Sequence, residues 1–233
     1  TGVGKAGGGW LPPAAELNAK ASATAEVWEK DCDVFWTEEA ERVSWFEPFR
    51  QLYQWKPPFA EFFVGGRLNV AYNCVDRHVE GGSGDKVAYH WEGEPEGERR
   101  TITFAGLQQE VVRTANGLKK LGVKKGTPIG IYMGMVPELP IAMLACARIG
   151  APFTVVFGGF SGASLSDRLN DMSCELVITQ DKGWRRGNQV PLKANVDEAL
   201  ATAPTVRTCT ALKRLGGDAP MEGDGAGWGD DVR

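Results

Sequence analysis

Two stretches carry residue types suited to holding an anion. In "FTVVFGGFSGASLSDRL" (153–169), apolar residues lead through Gly158 and Gly159 to Ser161, a helix-capping residue type. Glycine has no Cβ, so a ligand can touch the main chain there, or φ can turn positive. A helix starting at Ser161 would add unpaired N–H groups and a partial positive charge. Neither the dinucleotide-binding nor the P-loop glycine spacing is present, so ligand approach and a plain turn both remain open. In "KGWRRGNQVPLK" (182–193), Lys182, Arg185, Arg186 and Lys193 occur with no acid between them, and Gly183 and Gly187 predict a pliable loop. Guanidinium groups fork onto phosphate oxygens, and Trp184 can stack on a planar group. A solvated basic loop is the alternative. If both stretches share one sheet edge, an anion site is favoured.

The surrounding pattern supplies such an edge. Thr103 is placed to cap a helix with Phe104, Leu107, Val111, Ala115 and Leu118 on one face, stopped at Gly122. "PIGIYM" (128–133) reads as a strand, and 137–150 as a helix with Pro137 at its first position and Gly150 as its stop. "PFTVVF" (152–157) reads as a second buried strand, and Ser161 precedes a helix stacking Leu165, Leu169 and Met172. "ELVITQ" (175–180) is a third strand, 195–203 a helix with Asn195 and Glu198 at capping-box spacing, and 205–212 a fourth strand. Strands alternating with helices predict an α/β fold of right-handed βαβ units around a parallel sheet. Ligands gather beyond the carboxyl ends of such strands. The strands before Gly158 and before Lys182, taken as adjacent, would bring both turns together.

The 233 residues carry a net charge of −4, so any basic site is local and neither nucleic acid nor membrane is expected as a partner. No apolar run approaches the ~20 residues of a membrane-spanning helix. Cys32, Cys74, Cys146, Cys174 and Cys209 lie far apart, so reduced, buried thiols are expected and no metal site. The cytoplasm is the expected compartment, with mitochondrion or plastid left open. Residues 28–63 hold half of the aromatic residues, interleaved with acids, which predicts a helix or two capped by Thr24 and Thr37 rather than a base-stacking surface. His78, in "RLNVAYNCVDRH" (67–78), reads as a hydrogen-bonded structural histidine rather than a general base. No catalytic constellation stands out.

Several blocks match a known pattern: "GGRLNVAYNCVDRHV", "IYMGMVPELPIAMLACARIGA", "VVFGGFS", "DRLNDMSCELVIT" and "VPLKANVDEAL". In order, from about Trp28 to Gly216, the chain resembles the AMP-forming acetyl-CoA synthetases of the adenylate-forming superfamily. The resemblance implies an enzyme that activates acetate with ATP and Mg²⁺ to acetyl-adenylate and passes the acetyl group to CoA. It implies that Phe157, Gly158 and Gly159 lie along CoA and that Arg185 holds a CoA phosphate. Asn188 stands where the family carries a second arginine, and Arg186 is the candidate replacement. Gly134 and Phe153 replace a usual proline and a common histidine. The family's phosphate loop, adenine and acyl pockets and C-terminal domain have no counterpart in these residues. The chain is therefore expected to be an N-terminal portion, inactive alone and completed by the rest of the synthetase. Its expected parts are a mobile arm (1–27), an aromatic-rich segment (28–80), an α/β subdomain (81–215) and a flexible tail or truncation point (216–233). A non-catalytic CoA- or nucleotide-binding module and a protein-docking module are the alternatives.

Overall fold

Ile129, Ile131 and Met133 alternate with Gly130 and Tyr132 along one strand, and the two sets feed different cores. That alternation is the centre of the fold. The computed structural model describes residues 32–216, so Thr24 and Trp28 lie outside the described residues. The chain divides after Leu68 into two compact units.

In the first unit, α1 (Cys32–Ala40) precedes β1 (Gln51–Lys56) and β2 (Phe59–Val64), an antiparallel hairpin. Thr37 does not cap a helix: it sits inside α1, where its hydroxyl donates to the Asp33 carbonyl at 2.7 Å. The aromatic run is thus half hairpin, because rings such as Tyr53, Trp55 and Phe59 suit a pleated surface. Trp45, Phe49 and Phe63 cluster with ring centroids 5.3–5.6 Å apart. Trp55, Phe59 and Phe62 face outward.

The second unit opens with π-type helical turns at Tyr72–Asp76 and Val79–Ser83, then the hairpin β3 (Val87–Glu92) and β4 (Arg99–Thr103). Next come α2 (Phe104–Lys120), β5 (Ile129–Met133), α3 (Glu138–Ile149), β6 (Phe153–Phe157), α4 (Gly162–Asp171) and β7 (Leu176–Gln180). The hairpin β8 (Gly183–Arg185) and β9 (Asn188–Val190), α5 (Leu192–Leu200) and β10 (Thr208–Leu212) complete it. Strands β10, β7, β5 and β6 form, in that order, a parallel sheet, as expected for an α/β fold of this kind.

Helices cover both faces. Leu107, Val111, Ala115 and Leu118 of α2 and Ile141, Ala142 and Ala145 of α3 pack with Ile129, Ile131 and Ile178. On the other face, Leu165 and Leu169 of α4 and Val196 and Ala199 of α5 pack with Tyr132, Val156 and Val177. Thr103 caps α2 by accepting from Gly106 N–H, Ser161 caps α4 by accepting from Ser164 N–H, and Gly150 ends α3 at φ 71°. No helix among the described residues is long and apolar enough to cross a membrane.

Four local expectations fail. Strand β6 is an edge strand with Val155 and Phe157 exposed, not a buried one. It also neighbours β5, not β7, because α4 carries the chain back across β5. Pro137 flanks α3 as its cap residue instead of occupying the first helical position. Helix α5 begins at Leu192 after Pro191, three residues early, so Asn195 is not its cap. Proline's fixed φ starts that helix without a side-chain cap.

The stretch around His78 is structural. Asn69 donates to the Ala147 and Arg148 carbonyls at the end of α3, both at 3.2 Å, and accepts from Tyr72 N–H. Buried Asp76 pairs with Arg148 at 2.5 Å and accepts from Gln108 at 2.7 Å, tying the first π-type turn to α2 and α3. His78 stacks on Phe104, ring centroids 4.8 Å apart, instead of entering a hydrogen-bonded cluster. Asp76→Ala should lower stability by about 2–3 kcal/mol, below the full cost of breaking a buried pair because Arg148 is partly exposed. A shift in the urea midpoint at unchanged slope checks this.

The cysteines divide. Cys146 and Cys174 are buried as expected, whereas Cys32 and Cys74 are exposed. Burial pushes the Cys146 thiol up to about 12 and those of Cys174 and Cys209 up to about 11, from an ordinary 9.0. A thiol reagent at pH 7 should modify Cys32 and Cys74 rapidly, half-buried Cys209 more slowly, and Cys146 and Cys174 only on unfolding. Because the folded values lie above the unfolded ones, these thiols leave stability unchanged below pH 9.0 and lower it as pH rises toward about 11–12.

Candidate functional site

The chain leaving β5 turns to the α3 face, and the chain leaving β7 turns to the α5 face. Where neighbouring parallel strands diverge in this way, a crevice opens at their carboxyl ends. A cavity of about 330 Å³ occupies that place. Met133, Gly134 and Met135 border it at and beyond the end of β5, Phe157 and Gly158 at and beyond the end of β6, and Gln180, Trp184 and Arg185 at and beyond the end of β7.

Gly158 and Gly159 do not turn the chain by positive φ, for neither falls among the positive-φ glycines. They serve close approach. A Cβ on Gly158 would stand 3.0 Å from the Met133 carbonyl oxygen and 3.1 Å from Leu192, and one on Gly159 would overlap the Arg185 guanidinium. That guanidinium also lies over the Phe157 ring, 4.8 Å from its centroid. So Phe157, Gly158, Gly159 and Arg185 are brought together, although β6 and β7 are separated by β5. Among the described residues no carboxylate pairs with Arg185, and its charge stays available at the cavity wall.

The basic stretch is a hairpin rather than a pliable loop, with Arg186 and Gly187 as its turn at φ 51° and 77°. The exposed Arg186 side chain is not part of the cavity wall. Lys193 is buried in α5 and pairs with Asp197 at 2.5 Å, so it offers nothing to a ligand. The start of α4 is also less available than expected: a Cβ on Gly162 would lie 2.7 Å from the Glu198 carboxyl carbon. An anion here relies on Arg185 more than on the helix.

Several contributors were not foreseen. Trp91 walls the cavity from β3, its indole donating to the Met135 carbonyl at 2.8 Å. Arg214 stacks on Trp91 at 5.3 Å and pairs with Glu98. It is placed by Asp181, whose carboxylate accepts from the N–H groups of Arg214, Leu215 and Gly216. Buried Gln180 accepts from Gly134 N–H at 2.9 Å and donates to the Lys182 carbonyl at 2.7 Å, joining the β5 and β7 turns. The one signal for Gln180 and Asp181 was their place at the carboxyl end of a buried strand. Among the described residues, no group of three or more His, Cys, Asp or Glu is placed to hold a metal ion.

Tyr132 ties the glycine turn down from below. Fully buried, its hydroxyl donates to the Phe160 carbonyl at 2.7 Å and accepts from Asn195 at 3.0 Å. Burial raises its phenol above the ordinary 10.0, against the Asn195 hydrogen bond and the Arg185 charge, so it stays a neutral donor. Tyr132→Phe leaves the Phe160 carbonyl without this donor and should cost about 1–3 kcal/mol. Thermal unfolding measures the loss, and faster exchange of amides 158–161 locates it.

Residues 75–230 match the family model described as AMP-binding enzyme, and residues 22–74 match the acetyl-coenzyme A synthetase N-terminus. The chain is 51% identical over 211 residues to the acetyl-coenzyme A synthetase of Mycolicibacterium smegmatis, covering 89% of this chain and 22% of that protein. It is 50% identical over 234 residues to that of Rhodopirellula baltica, covering 94% and 35%. With that of Methanothrix thermoacetophila it shares 51% over 189 residues, covering 81% and 29%. The chain thus spans about a third or less of the length of these relatives. With its parallel sheet, crevice and matched residues 75–230, the chain belongs to the AMP-binding enzyme family.

Proposed function

We propose that this chain supplies the CoA-facing edge of an AMP-forming acetate–CoA ligase. The complete enzyme joins acetate to ATP, giving acetyl-adenylate and pyrophosphate, and the CoA thiol then displaces AMP to give acetyl-CoA. The observation that carries the reading is the Arg185 guanidinium, without a carboxylate partner among the described residues and held over Gly159 and Phe157 at the cavity wall. A guanidinium already stacked and oriented can fork onto phosphate oxygens with little further ordering. Phe157 and Trp184 offer ring faces to the adenine of CoA. Gly159 leaves room for the Arg185 guanidinium, and Gly158, at the cavity border, lets the turn pack closely on the end of β5. Arg186 adds charge at the hairpin turn, in place of the arginine that Asn188 lacks.

Mg²⁺ would accompany ATP in the complete enzyme. The described residues form no acidic cluster for it, and no step here is assigned to it. Adenylate formation belongs, on this reading, to the complete enzyme, since the chain spans about a third or less of its relatives. A second reading, a docking module, is favoured by the outward Trp55, Phe59 and Phe62 of the first unit.

In the complete synthetase, Arg185→Ala should weaken CoA by about 1–3 kcal/mol, the worth of a charge-assisted contact, and leave acetate-dependent pyrophosphate exchange near wild type. Steady-state kinetics in CoA and isotope exchange separate the two half-reactions. A large loss of exchange would overturn the assignment. With the 233-residue chain alone, calorimetry should show CoA binding without pyrophosphate release, and absence of binding would favour the docking reading.

A further inference from the structure

Glu94, in the loop between β3 and β4, also lines the cavity, and its carboxylate points at the β8–β9 hairpin. It accepts a hydrogen bond from Arg186 N–H at 3.1 Å and a second from Gly187 N–H. Those are the two turn residues, both at positive φ. Successive N–H groups of such a turn converge on one point and make a small anion-binding concavity. The concavity adjoins Arg185, the cation without a carboxylate partner among the described residues. The hairpin does not need Glu94 for its shape. Its ladder pairs Gly183 with Val190, Trp184 with Gln189 and Arg185 with Asn188, and Asn188 donates to the Arg186 carbonyl at 3.1 Å. An anion therefore sits in an anion cradle, and that anion belongs to the protein.

We propose that Glu94 is an internal competitor for the phosphate groups of the ligand at this edge. It holds the two turn N–H groups until a ligand phosphate takes them, and the displaced carboxylate then swings out with its loop. The inference rests on reading this edge as a CoA site and adds what regulates it. A phosphate with two negative charges gains more than a carboxylate from the same donors beside Arg185. Displacing Glu94 subtracts from every ligand's affinity, so weakly charged ligands are turned away first. Glu94 is thereby a specificity-determining residue that no ligand need touch.

The test titrates the ¹⁵N-labelled 233-residue chain, as wild type, Glu94→Gln and Glu94→Ala, with CoA and separately with inorganic pyrophosphate. The Arg186 and Gly187 amide resonances are followed. Both variants should bind each anion about fivefold to tenfold tighter than wild type, the effect of freeing one pair of hydrogen-bond donors. In wild type the same two amides should shift on binding. If pyrophosphate shows the tightening and CoA does not bind, the competitor role stands and CoA is lost as the ligand. If affinity for both anions is unchanged or weaker in the variants, or if neither anion binds any of the three proteins, the proposal is overturned.

Discussion

The guanidinium at this sheet edge has no carboxylate partner among the described residues, and it rests instead on an aromatic ring and a glycine. Arg185 lies over Phe157 and over the backbone of Gly159, where any side chain would collide with it. The turn after β6 is thereby shaped around a side chain that arrives from beyond β7. Tyr132 and Asn195 hold that turn from the buried side, and Gln180 joins the turns after β5 and β7. All but the Gln180–Lys182 bond link segments distant in sequence. The cavity keeps its form because its walls are bonded to one another as well as to the sheet.

The sheet order decides where those walls meet. With β5 between β6 and β7, the segments leaving β5 and β7 go to opposite faces and leave a gap at their carboxyl ends. The hairpin β3–β4 and the segment after β10 close two sides of the gap through Trp91 and Arg214. Asp181 serves the second of these, since its carboxylate collects three backbone N–H groups immediately past β10. A charged residue at the end of a buried strand here does the work of a turn.

Much of the α/β unit was legible from local signals. Thr103, Ser161 and Gly150 act at the helix ends where their types predict, and the apolar periods of α2 and α4 face the cores. What the chain could not show locally were decisions made by distant partners. Asn195 has the spacing of a cap, yet its amide is taken by the Tyr132 hydroxyl and Pro191 starts the helix. Lys193 reads as a loop cation, yet the early helix buries it beside Asp197. Thr37 carries no periodic signal that separates a cap from a helix interior, and alternating rings alone did not reveal the β1–β2 hairpin. Gly158, Gly159 and Arg185 were recognisable by residue type, while Trp91, Glu94 and Arg214 entered through contacts dozens of residues apart.

One more property follows from the outermost position of β6. Its ladder is paired on the β5 side, and Val155 and Phe157 stand exposed along it. Main-chain donors and acceptors along a margin that no strand pairs among the described residues, flanked by greasy side chains, offer a template on which another strand can be laid. A solution of this chain therefore carries its own seed for lateral assembly. Protein concentration, as much as heat, will govern how long it stays monodisperse.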